Sequence, residues 1–206
     1  MPGARGVGSR SSQTRADIVR AAADLMLEQG YASVTYRSVG ARAQVTPGLV
    51  QYYFPVLDDL FVEILEAGTD DLVRRLERAA GADRPLRAIW AYANDKAGAA
   101  LLLEFMALAN HRKAVGPVIG RGGERLRQAL VAALVPALRR YGLAADERVP
   151  AAVVFLMSAV PRMIQLEESF GTVTGHAEMI DLVEDYLDRV EPLAGAETDG
   201  PPITRG

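Results

Sequence analysis

The most specific chemistry in this chain of 206 residues sits between Thr46 and Phe54. If that segment is helical, Val50 and Phe54, one turn apart, point to one side. Thr46, Pro47, Gly48, Gln51 and Tyr52 then share the opposite face. The amide of Gln51 donates and accepts together, as an adenine edge in the major groove requires. Gly48 removes a side chain where backbone would approach a groove wall. Tyrosine hydroxyls at Tyr52 and Tyr53 are suited to donate to phosphate oxygens. The pattern is that of a surface built to read duplex DNA.

Other chemistries lack their residues. There is no cysteine, which excludes disulfides and thiolate metal sites and is compatible with a reducing cytoplasm. His111 and His176 have no nearby acidic cluster, so no metal site is expected. No Ser, Thr or Lys stands in a nucleophile motif, so neither catalytic residues nor a cofactor are expected. The run GPVIGRGGERL is glycine-rich but lacks the Lys-Ser/Thr of a phosphate loop and follows no strand pattern. It reads as an irregular helix start. No run of 18 apolar residues free of charge is present, so a membrane partner is not expected.

The elements that must position the 46–54 face are helical throughout, since strand-like alternation is scarce. Net charge is −3, against non-specific coating of nucleic acid. Yet residues 10–53 hold five arginines (Arg10, Arg15, Arg20, Arg37, Arg42) against Asp17, Asp24 and Glu28. The basic front suits a chain that meets phosphate at one end. Thr14 to Gln29 carries Ile18, Ala21, Ala22, Leu25 and Met26 at helical steps, and Gly30 closes it. Thr35 caps a short helix to Ala43. Thr46-Pro47 caps and opens the next, with proline in the first turn where its missing N–H costs nothing. Asp58-Asp59 begin a longer helix to Ala80. Helices are then expected over 84–112, bent near Gly98, over 113–141, over 147–170 and over 176–190. The division predicted is a flexible basic arm (1–12), a helix-turn-helix domain (13–61), a helical ligand-binding and dimerisation domain (62–192) and a disordered tail (193–206).

In register, the segment TYRSVGARAQVTPGLVQYYFPVLDDLF resembles the signature of the TetR family of bacterial transcriptional regulators, and the likeness spans about Thr14 to Phe61. It implies an all-α fold: a three-helix reader joined to a helical bundle that binds a ligand and dimerises. By the same resemblance, Thr35, Arg37 and Thr46 would hold phosphates with Tyr52 or Tyr53, while Tyr36, Pro47, Gly48 and Gln51 would approach bases. Three positions depart from the family pattern. Gln44 replaces the turn glycine, Gln51 a tyrosine, and Leu57 a phosphate-touching lysine. A left-handed Gln44 would cost about 1 kcal/mol.

The resemblance also implies partners: double-stranded operator DNA, a small-molecule effector, and a second copy of the chain in a homodimer. Large adaptable residues suited to a ligand cavity are Trp90, Tyr92, Leu102, Phe105, Met106, Phe155 and Met163, with Asn94, Asn110, His111, Arg162 and Gln165 as polar groups at similar depth. Pro161, inside an apolar helix, should free carbonyls and open space. Two stripes suit a four-helix dimer interface: Val149, Val153, Leu156 and Val160 on one helix, and Met179, Val183, Tyr186 and Leu187 on the last. The expected function is a repressor released from a palindromic operator by a largely apolar ligand. The alternative, kept open by Gln44 and Leu57, is a helical small-molecule-binding protein that has lost operator binding.

Overall fold

A computed structural model describes residues 4–143, 146 and 148–192. Every regular element among the described residues is helical: α1 (Ala4–Gln29), a 3-10 turn (Tyr31–Ser33), α2 (Tyr36–Arg42), α3 (Pro47–Tyr53), α4 (Leu57–Ala80), α5 (Pro85–Ala93), α6 (Lys96–His111), α7 (Val115–Arg140), α8 (Val149–Glu168) and α9 (His176–Val190). The all-α expectation holds. Helix α1 starts at Ala4, so residues 4–12 of the expected flexible arm continue the first helix. The expected disordered tail lies outside the described residues.

Local chemistry explains the boundaries. Thr35 accepts from the Ser38 amide at 3.1 Å, and Ser38 Oγ accepts from the Thr35 amide at 2.9 Å, a reciprocal cap on α2. Thr46 accepts from the Leu49 amide at 3.3 Å, and Pro47 fills the first position of α3. The bend expected at Gly98 falls instead at Asn94-Asp95, because Asp95 caps α6 by accepting from the Ala97 and Gly98 amides. Helix α7 is regular from Val115, not loosened: Pro117 lies in its first turn, where no N–H is required.

Two cores form, and α4 belongs to both. In front, Ile18, Leu25, Met26, Val39, Val50, Phe54, Leu60 and Phe61 pack with Phe105 and Leu108 of α6 and Val115 of α7. Behind, Leu76, Leu86, Ile89 and Trp90 pack with Leu130, Leu134, Val154 and Leu187. Full burial of a side chain such as Phe54 contributes roughly 1.5–3 kcal/mol. In the glycine-rich run, packing explains Gly122, while a Cβ at Gly116, Gly120 or Gly123 would meet no atom within 4 Å. A Cβ at Gly122 would stand 2.9 Å from Thr69 Oγ1, so glycine lets α7 press against α4.

Helix α8 is 20 residues long with mean hydropathy 1.6, enough by length and composition to cross a membrane. Arg162 lies within it, so it holds no run of 18 residues free of charge. Only one side of α8 is covered, by Val154, Pro161 and Ile164. The other side leaves Phe155, Leu156, Met163 and Leu166 between 38% and 58% exposed.

Candidate nucleic-acid interface and effector cavity

Helix α3 divides as its sequence requires. Val50 and Phe54 are fully buried, while Thr46, Pro47, Gly48, Gln51 and Tyr52 are exposed together. Tyr52 is 76% exposed and meets Tyr53 edge to face at 5.5 Å. A Cβ added at Gly48 would find no atom within 4 Å, so the first turn of α3 presents bare backbone to solvent.

The turn before α3 is tight. Gln44 has φ +57°, so the left-handed conformation is present at the non-glycine residue the sequence marked. The Val45 amide donates back to Gly40 O at 2.8 Å. Gly40 was not singled out from sequence, yet it sets the approach of α2 to α3. A Cβ there would stand 2.9 Å from Val45 O and 3.2 Å from Pro47 N. Those are backbone atoms, which cannot turn aside as a flexible side chain could.

Around this face, Arg37 is exposed and makes no ion pair among the described residues, so its charge is available to a phosphate. Arg42 instead pairs with Glu28 of α1, which holds the Glu28 carboxyl below its ordinary range. The hydroxyl of Tyr36 donates to Pro55 O at 3.0 Å. Tyr53 is half-buried and donates to Ser11 Oγ at 3.1 Å, which ties α1 to α3. Arg15 holds the end of α3, donating to Glu63 Oε1 at 2.8 Å and Tyr53 O at 3.2 Å with its guanidinium 4.5 Å over the Phe54 ring. Leu57 packs against the front core.

The reader is fastened to the body at one junction. Glu104 of α6 accepts from the Tyr31 amide at 2.9 Å, and the Tyr31 ring stacks on His111 at 6.1 Å. Arg112 pairs with Asp58 and lies over Phe61 at 5.4 Å.

A cavity of about 360 Å³ opens between α5, α6, α8 and α9. Of the residues expected to line it, Trp90, Asn94 and Gln165 do, and Pro161 lines it as well. The others are elsewhere. Phe105 is in the front core, edge to face with Phe61 at 6.4 Å, because α6 packs its last two turns on the reader. Leu102 is half-buried on α6 outside the cavity, and Tyr92 packs against the back core. Met106, Phe155 and Met163 are 46%, 58% and 54% exposed. Arg162 is half-buried without an acidic partner among the described residues, since Glu167 engages His176 and Glu168 engages Lys96. Burial, and then the neighbouring charge of Arg127, pushes its guanidinium below the ordinary range.

The stripes expected at a subunit interface also divide. Leu187 belongs to the back core of one protomer, and Val149, Val153 and Val183 pack against it. Leu156 and Tyr186 are 56% and 44% exposed, and Val160 and Met179 are half-covered. Phe155, Met163, Leu166, Phe170 and Leu182 are further exposed apolar residues of α8, the turn after it and α9, and a composition-only reading of α8 could not orient them.

Residues 18–64 match the family model described as bacterial regulatory proteins, tetR family. No curated protein sequence matches the chain. Its fold is shared with solved structures of low sequence identity. A putative TetR-family transcriptional regulator from Rhodococcus sp. superposes with TM-score 0.68 at 16% identity, over 85% of this chain and 99% of that one. A TetR transcription regulator from Haloarcula marismortui gives 0.68 at 18% identity, over 87% and 98%. GusR of Salmonella enterica gives 0.64 at 17% identity, over 86% and 95%.

Proposed function

We propose, from the premise that residues 18–64 are a tetR-family regulatory domain, that the chain is a homodimeric repressor of transcription controlled by a small molecule. The observation that carries the reading is the face of α3. Thr46, Gln51 and Tyr52, each suited to a base or phosphate, are exposed on it, and the two apolar residues needed to anchor it are buried. Thr35, Arg37 and Thr46 would meet phosphates at the starts of α2 and α3, with Tyr52 beside them. Gln51 and the bare backbone at Gly48 would approach base edges. Tyr36 and Tyr53 hold their hydroxyls in bonds within the protein, so they support the reader more than they contact DNA.

One reader covers only a half-site, so a palindromic operator calls for two. The exposed apolar surface of α8 and α9 supports an isologous pairing through Phe155, Leu156, Met163, Leu182 and Tyr186. That surface also accounts for the apolar composition of α8 without a membrane. Effector binding between α5, α6, α8 and α9 would favour a spacing of the readers that does not fit the operator, and α4, packed in both cores, would carry the shift.

The test is a gel shift of the full chain against fragments of its own genome at two salt concentrations. Retention of particular fragments by a dimer, weakening steeply with salt, is expected. Uniform retention of all fragments, or none, would sink the reading.

A further inference from the structure

The cavity between α5, α6, α8 and α9 is specific about charge, and its polar groups define a ligand class. Its volume of about 360 Å³ falls in the range of small-molecule sites, roughly 300–1,000 Å³. The walls are mostly apolar: the Trp90 ring with Ala91, Ala99, Pro161, Ile164 and Ile180. Four charged residues also reach it, and each already has a partner. Glu184 accepts from Trp90 Nε1 at 2.8 Å and from Arg87 at 2.7 Å. Asp95 is occupied by the Ala97 and Gly98 amides. Lys96, on the rim, donates to Glu168 at 3.2 Å. The acids and bases balance, so an ionised ligand would enter with no counter-charge free to receive it.

What remains unmet carries no free charge: Arg87 Nε is buried without a partner, but its guanidinium is already paired with Glu184 and Asp188. Gln165 Oε1 is buried without a hydrogen-bond partner, although the residue lines the cavity. Asn94 donates one of its two amide N–H groups to Trp90 O at 3.2 Å, and its side-chain carbonyl makes no hydrogen bond among the described residues. Gln165 Oε1 calls for a donor and Arg87 Nε for an acceptor, and one hydroxyl group supplies both. An unmet buried acceptor costs more than a made hydrogen bond contributes, so such a group is best explained by a partner that supplies the donor.

We propose that the effector is an uncharged, mainly apolar molecule carrying a hydroxyl or amide N–H that donates to Gln165, with Asn94 as a second acceptor. The proposal rests on the effector-controlled reading above. It adds a ligand class, which excludes carboxylates, phosphates and ammonium compounds.

Trp90 is the only tryptophan in the chain and forms a wall of the cavity, so its emission reports occupancy without a label. The probes are 2-decalol, its methyl ether and decalin-2-carboxylate, titrated at pH 7 into the full chain. None absorbs where tryptophan is excited. The alcohol should shift Trp90 emission saturably. The ether, which has lost its donor, should bind roughly three- to tenfold more weakly. The carboxylate should bind at least tenfold more weakly than the alcohol. In Gln165→Met, checked for an unchanged thermal midpoint, the alcohol and ether should bind nearly alike. Equal binding of alcohol and ether to the native chain, preference for the carboxylate, or no saturable shift with any probe would each overturn the proposal. The native-chain comparison decides even if the variant does not fold. Operator binding is measured separately by gel shift, so a failure here leaves the DNA-reading proposal standing, and a failure there leaves this ligand class standing.

Discussion

Replacing Gly40 with alanine tests how the reader is built. The new methyl would sit 2.9 Å from Val45 O and 3.2 Å from Pro47 N, so α2 and the α3 turn must part by a few tenths of an ångström. Alanine gains about 1 kcal/mol over glycine inside a helix. Forcing an overlap into a packed site costs about 1–3 kcal/mol. The net expectation is a loss of up to about 2 kcal/mol, with α3 displaced. Gly48→Ala is the counterpart. Nothing stands within 4 Å of the added methyl, so stability should hold or rise by a few tenths of a kcal/mol. If the first turn of α3 lies against DNA, however, that methyl must be accommodated in the groove, and operator affinity should fall about tenfold or more. Urea unfolding followed by circular dichroism gives the stabilities, and gel shifts give the affinities. Gly40→Ala as stable as the native chain would refute the close approach of α2 to α3. Gly48→Ala binding operator at native affinity would refute the contact of that turn with DNA.

Leu57→Lys places a cation at the start of α4, where the family pattern carries a phosphate-touching lysine, and the slope of log affinity against log salt should steepen by about one; an unchanged slope would mean that position 57 does not face the backbone. Met163→Asp with Leu182→Asp should yield folded monomers by sedimentation equilibrium, since both residues are exposed, at 54% and 61%, and a dimer that persists would move the interface elsewhere. The Glu28–Arg42 pair links α1 to α2 and depresses the Glu28 carboxyl. Its stabilisation is therefore present above the ordinary carboxylate range and lost as pH falls through the lowered value. Native chain and Glu28→Gln should differ in unfolding midpoint at pH 7 and converge in acid; a constant gap across that range would contradict the pairing.

The reader was legible in the sequence because its signals are local. Thr35, Thr46, Pro47 and the positive φ of Gln44 act within a few residues, and the buried Val50 and Phe54 follow from spacing alone. The body was less legible because α6 and α8 are apolar on nearly every side, so composition could not tell which face turns inward. Phe105 and Phe155 show the cost of that: one went to the front core and the other to the surface, and neither reached the cavity. Gly40 and Gly122 were out of reach for another reason. Their roles depend on atoms of other segments, Val45 O and Thr69 Oγ1.

The central claim is that α3 reads DNA sequence as one half of a pair. Binding-site selection tests it most directly: the full chain retains duplexes from a randomised pool, and the retained duplexes are sequenced. The predicted result is an inverted repeat with half-sites centred about one or two helical turns apart. In Gln51→Ala, preference should relax at one position in each half-site, by roughly 1–3 kcal/mol of base discrimination. A retained pool with no enriched sequence, or an enriched motif that Gln51→Ala leaves unchanged, would contradict the account.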